Sequence, residues 1–239
     1  MNMFTRKQAG LSLIEMMTTL LIGCFMIMGI TQFYIDNRSS YLFQLSQAGN
    51  LNKSRYAAQV LEETLSRAGY RTLPWVSLEN SFPAVGSTSG CPAFAAGQTV
   101  AKNSAGTGVC VRYQTATDAD GSERDCLGST VADSTDVVLN LNYDSSEGQL
   151  TCTDGSNSAV LVSDIAGFVV SDIPDSSADS QSVRFAMLLN NGTDLGDDVD
   201  NDVLARWNLL TGQSLSTDGA SSQAYQIAQG SVALRNLMQ

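Results

Sequence analysis

The sequence predicts an α+β protein: a long N-terminal α-helix, membrane-spanning in its first half, packed on an antiparallel β-sheet globular domain. Three observations predict it. An almost wholly apolar run extends from Leu11 to Ile35. An amphipathic stretch without Pro follows it to about residue 70. From Val109 onward the period of the apolar residues becomes two, with turn dipeptides between the runs.

The apolar run comes first. About 25 residues at 1.5 Å each make roughly 37 Å of helix, enough to cross a hydrocarbon core of about 30 Å. Arg6 and Lys7 precede the run, and Asp36 and Arg38 follow it. The positive-inside rule keeps the first residues cytoplasmic and sends the rest outward. A secretory signal peptide would have a shorter core closed by a small-residue cleavage site. No Ala-x-Ala-like site closes this run before Asp36; the small residue, Gly10, stands in front of it. A cut after Gly10 would leave the helix attached and make Leu11 the new N-terminus. Glu15 would then be the fifth residue, one helical turn from a free amine. A carboxylate inside a spanning helix costs roughly 3 kcal/mol, so it marks a functional site unless it snorkels to the interface. The amine of a neighbouring subunit is a natural counter-charge.

Beyond the apolar run, Leu42, Leu45, Ala58, Leu61, Leu65 and Ala68 fall at helical intervals, with Glu62, Glu63 and Arg67 on the opposite face. Gly69 is a C-terminal stop, and Pro74 lies just past it. The stretch from Thr72 to Ser104 holds Pro74, Pro83 and Pro92 and reads as an irregular connection carrying Cys91. Strands follow at Val109–Tyr113, Val137–Tyr143, Ala159–Val162, Phe168–Ile173, Val183–Leu189, Tyr225–Ile227 and Val232–Leu234. The turn signals are Asp120-Gly121, Glu147-Gly148, Asp154-Gly155, Asn191-Gly192 and Asp218-Gly219. This pattern is that of an antiparallel meander.

Composition narrows the function. The formal net charge is −11, and loss of Arg6 and Lys7 would lower it by two, to −13. Direct nucleic-acid binding by this subunit alone is not expected, because phosphate neutralisation needs a basic face. Histidine is absent, and no nucleophile elbow, P-loop or dinucleotide fingerprint occurs. No catalytic residue and no cofactor are therefore assigned, and the chain is not read as an enzyme. Cys24 lies in the apolar helix as a small buried residue. Cys91, Cys110, Cys126 and Cys152 are an even set in a compartment that topology makes oxidising, so two disulfides are expected. Three connectivities are open. The sequential pairs, closing loops of roughly 20 and 27 residues, are preferred and would contribute about 3 kcal/mol each. A zinc site lacks both His and a Cys-x-x-Cys spacing. In the acidic run from Asp194 to Asp202, Asp198, Asp200 and Asp202 alternate as calcium ligands do, yet the EF-hand Gly and distal Glu are missing. The run is read as a solvated loop, with calcium as the competing ligand.

Gly10-Leu11-Ser12-Leu13-Ile14-Glu15-Met16-Met17 resembles the class III signal of type IV prepilins. In that family a membrane peptidase cuts after the Gly and methylates the new N-terminal residue, and the Glu guides the subunit into the filament. The resemblance implies cleavage between Gly10 and Leu11, N-methylation of Leu11, a leader with Arg6 and Lys7 as its basic residues, and Glu15 as the assembly carboxylate. Most members have Phe after the Gly; Leu11 keeps a large apolar residue there and points to a minor pilin. Further stretches resemble the PilW group. These are Val109–Tyr113, Asp125-Cys126-Leu127-Gly128 with Leu150-Thr151-Cys152, Leu161–Phe168, Val183–Leu189, and Val232–Asn236. They support a Cys126–Cys152 pairing.

The expected organisation is a leader over 1–10, a transmembrane and assembly helix over 11–35, its amphipathic continuation over 36–70, and a pilin head over 71–239. The implied role is type IV pilus assembly and priming, near the filament tip, with adhesion, twitching motility or DNA uptake downstream. The implied partners are the prepilin peptidase, the major pilin, other minor pilins, a large tip adhesin, the inner-membrane assembly platform and the lipid bilayer. The implied location is the inner membrane, head in the periplasm, and then the pilus at the cell surface. The competing reading is a pseudopilin of a type II secretion system.

Overall fold

A computed structural model describes residues 12–117, 123–133, 135–173, 182–194, 202–215 and 223–237. The chain falls into two units, residues 1–44 and 45–239. Helix α1 (Leu13–Ser66) runs from the first into the second.

In the first unit, α1 is a membrane-type helix. Leu, Ile and Met without Pro favour the helix, and its most apolar 18-residue stretch has a mean hydropathy of 2.0 with no residue buried. It is the one described helix long and apolar enough to span a bilayer. The hydroxyls of Thr18, Thr19 and Thr31 bond back to carbonyls of the same helix, as hydrocarbon requires. Thr19 Oγ1 donates to Glu15 O at 2.9 Å, Thr31 Oγ1 to Ile27 O at 2.8 Å, and Asn37 Nδ2 to Phe33 O at 2.9 Å.

In the second unit the buried face of α1 comprises Ser46, Asn50, Ser54, Ala57, Leu61, Thr64 and Leu65, with Ala68 just past the helix. Leu61, Leu65 and Ala68 lie where the apolar spacing puts them. Leu45 does not: it is 55% exposed, and the face passes through Ser46 instead. The first turns of this segment use small and polar side chains, which let the backbone come close. Asn50 Nδ2 donates to Ala224 O at 3.2 Å, a bond that a leucine could not make. Gly69 follows the helix at φ +72°, and its N–H donates to Arg112 O at 3.0 Å.

The strands form two sheets rather than one. β1 (Val100–Lys102), β2 (Gly108–Gln114), β3 (Asp136–Asp144), β4 (Gln149–Thr153) and β5 (Ser158–Val162) make an antiparallel meander in that order. β6 (Ile165–Ser171), β7 (Ser182–Asp194) and β8 (Gln223–Ala233) make a second antiparallel sheet, with β7 central. One core joins them. Leu61 and Leu65 of α1 meet Val109, Val111, Leu139 and Leu141 of the first sheet and Phe168, Val183, Met187 and Val232 of the second.

Two local expectations are corrected, and a helix appears where the sequence predicted no element. Asn191-Gly192 is no hairpin turn; it lies inside β7 as a bulge, Gly192 at φ +69°, where the register to β8 shifts between Asn190 and Asp194. The two short C-terminal runs are one strand, because the uncharged residues between them pair regularly with β7. The last residue of the acidic run opens a helix, α3 (Asp202–Thr211), whose Leu204 and Trp207 pack against Leu188 on the outer side of the second sheet.

Apolar and polar residues alternate in β2, yet Gly108 to Tyr113 are all buried. The connection between α1 and β1 supplies the second cover. It carries a four-residue helix, α2 (Leu78–Ser81), capped by Ser77, then Phe82 and Cys91, which lie over Arg112 and Cys110.

Candidate functional site

The first candidate is the start of α1. Glu15 is the only charged residue from Leu11 to Ile35. It stands in the first helical turn, its N–H donating to Ser12 O at 3.0 Å. A carboxylate there faces the positive end of the helix dipole. Leu13, Ile14, Met16 and Met17 surround it and are exposed. Chemically this is an acidic group on an apolar rod, with no partner for its charge in the described part of the chain. Arg6, Lys7, Gly10 and Leu11 lie outside the described residues.

The head contains two disulfides. Cys91 is joined to Cys110 with Cα atoms 5.9 Å apart, and Cys126 to Cys152 with Cα atoms 6.3 Å apart. The first clamps the α1–β1 connection to β2 and is fully buried; the second ties a loop to β4 and leaves Cys126 half-exposed. Cys24 is free and exposed on the apolar helix rather than buried.

Sequence reasoning missed Arg112. It is a buried cation in a strand interior, 1% exposed. Its Nη2 donates to Asp136 Oδ2 at 3.0 Å and its Nη1 to Pro83 O at 2.7 Å, with the guanidinium 5.1 Å from the Phe82 ring centroid. Asp136 Oδ1 also accepts from Gln114 Nε2 at 3.0 Å. The pair fixes the connection over β2 through Pro83 O. Its signal in the sequence was only an Arg among buried-type residues.

Elsewhere the electrostatics are those of turns and core. Hydrogen bonds from the Ser146 hydroxyl, the Ser146 N–H and the Glu147 N–H hold the Asp144 carboxyl below its ordinary range. The N–H groups of Asn157 and Ser156 do the same for Asp154. Burial pushes the phenols of Tyr113 and Tyr143 up. These groups serve the β3–β4 turn, the β4–β5 turn and the core.

Of the calcium candidates, Asp198 and Asp200 lie outside the described residues. Asp202 opens α3, and its carboxylate accepts from Arg206 at 2.9 Å. Among the described residues no group of three or more His, Cys, Asp or Glu is placed to hold a metal. Comparison of the chain with known protein families, with curated proteins and with solved structures finds no match in any of the three.

Proposed function

We propose that the chain is a minor pilin of the PilW-like kind, an assembly subunit of a type IV pilus. The observation that carries the reading is a membrane-length helix, exposed all round, with one carboxylate in its first turn. Lipid can surround such a helix while the subunit waits, and neighbouring helices can replace the lipid in a filament at little cost in hydrophobic contact. Glu15 then supplies the selection. Buried among helices it needs a cation, and the N-terminal amine released by a cut after Gly10 is one turn away in sequence and available from a neighbouring subunit.

The basic leader residues Arg6 and Lys7 hold the N-terminus on the cytoplasmic side, where the peptidase acts before methylating Leu11. The disulfide-clamped β-rich head is exported and faces the periplasm, then the cell surface. Near the tip it meets other minor pilins and an adhesin.

Co-expression with a prepilin peptidase tests the reading. The expected product lacks residues 1–10 and carries one added methyl at Leu11; an unprocessed N-terminus rejects it. The pseudopilin alternative shares this chemistry. Deletion separates the two: loss of surface filaments identifies a pilin, whereas loss of exoprotein release with filaments intact identifies a pseudopilin.

A further inference from the structure

Among the described residues, β8 is the outer strand of the second sheet and pairs with β7 alone. Its 11 residues include no charge and no Pro, and its register to β7 is unbroken from Tyr225 to Ala233. Every second residue of such a strand turns its N–H and C=O away from its neighbour. Among the described residues, the one backbone group of β8 engaged outside that ladder is Ala224 O, which accepts from Asn50 Nδ2.

The other edges are blunted. β1 has three residues and ends in Lys102. β5 has five residues and runs towards Asp164, which is paired with Lys53. β6 has seven residues, is irregular between Ile165 and Gly167, and is tied at its first residue, where Ile165 N donates to Gly148 O at 2.9 Å and Tyr143 Oη donates to Ile165 O at 3.1 Å. Short length, charge, Pro, bulges or a covering element are how proteins keep an edge from pairing. Among the described residues, β8 carries none of them from Tyr225 to Ala233.

We propose that the free edge of β8 is a strand-addition site for an uncharged, extended segment of a different protein chain. Only an extended polypeptide presents donors and acceptors at the strand repeat. The strand's own lack of charge leaves nothing for a charged segment to pair with. A second copy is disfavoured, because two chains of net charge −11 repel. A hollow of about 630 Å³ lies across one face of this sheet and reaches β8, lined by Val169 of β6, Arg184 of β7, Gln229 and Ser231 of β8, and Leu210 and Thr211 of α3. Arg184 is already paired with Asp172, so the hollow takes an uncharged side chain of the incoming strand, against the exposed Leu210. The inference stands on the sheet edge and not on the filament reading.

The test uses the full chain in detergent micelles. The probe is an uncharged strand of about nine alternating Thr and Val residues, fused after Gln239 through a flexible Gly-Ser linker of roughly fifteen residues. Hydrogen exchange read by mass spectrometry should slow by at least about tenfold over residues 224–233 in the fused chain. Gln229→Lys, at an exposed position opposite Ala186, should restore fast exchange without lowering Tm. Equal exchange with and without the fused strand overturns the proposal. In cells that produce the protein, a photoreactive residue in place of Gln229 should crosslink to a segment of another chain, and the amides of 224–233 should be slow in the purified adduct. A crosslink to a second copy's β8, or no crosslink, also overturns it.

Discussion

The indole of Trp207 lies against the bare backbone of Gly167: a Cβ at that position would stand 2.8 Å from Trp207 Cζ2. The indole is fully buried, and its Nε1 donates to Gln213 Oε1 at 3.2 Å. With Leu204 against Leu188, this contact docks α3 on the second sheet. Gly167→Ala should therefore destabilise by about 1–3 kcal/mol through overpacking. Trp207→Ala should cost about 3–5 kcal/mol through the cavity it leaves. Urea unfolding of the full chain in micelles measures both. Trp75 is the control: it is 79% exposed, and Trp75→Ala should stay within about 0.5 kcal/mol of the parent.

The Arg112–Asp136 pair is asymmetric, its side chains 1% and 41% exposed. Removing the carboxylate leaves a buried cation; removing the cation leaves a hydrated carboxylate. Asp136→Asn should then cost about 3 kcal/mol, while Arg112→Met, which fills the space beside Phe82, should cost about 1 kcal/mol. Chemical denaturation in the same buffer decides the order. If Arg112→Met proves the costlier change, the ion pair is not what fixes this region.

Burial separates the two disulfides. Cys91 and Cys110 are both inaccessible, whereas Cys126 is half-exposed. A mild thiol reductant acting on the native protein should open Cys126–Cys152 first, because thiolate attack needs access to a sulfur. Differential alkylation and mass spectrometry give the sequence of events. Replacing either pair by alanines should lower stability by about 3 kcal/mol.

Stability should fall on both sides of neutrality. The carboxyls of Asp144 and Asp154 are held below their ordinary range, so each favours the folded state above about pH 4. That contribution is lost as the pH falls through the lowered folded values. The phenols of Tyr113 and Tyr143 are raised, so folding opposes their ionisation, and stability drops above about pH 10. Tm against pH should be flat in between. Asp144→Asn and Asp154→Asn together should shallow the acid limb and leave the alkaline limb alone.

Much of this architecture was legible in the sequence. Val109–Tyr113, Val137–Tyr143 and Val183–Leu189 alternate cleanly, and each is a strand. Glu15 is conspicuous because nothing else between Leu11 and Ile35 carries charge. Helix α3 was hidden for a physical reason: only Leu204 and Trp207 face inward, while Leu209 and Leu210 are exposed and blur the period. The second cover of β2 was hidden too, since Phe82 and Cys91 reach it from a Pro-rich connection with no period at all. The small and polar side chains on the buried face of α1 defeat an apolar template, because Asn50 is inside for its hydrogen bond rather than its hydrophobicity.

Asn236 donates through Nδ2 to Ser66 O at 3.0 Å and to Ala68 O at 3.2 Å, closing the carbonyl end of α1 with a residue 170 positions later. Leu237 lies where a side chain on Gly69 would be. The meander of β1 to β5 pairs neighbours in sequence and can form as the chain emerges. The end of α1 cannot be closed until residues beyond β8 have been delivered. A chain that has not yet reached residue 236 therefore keeps the carbonyls of Ser66 and Ala68 without the bonds from Asn236, so the last residues to fold are the ones that finish the first helix.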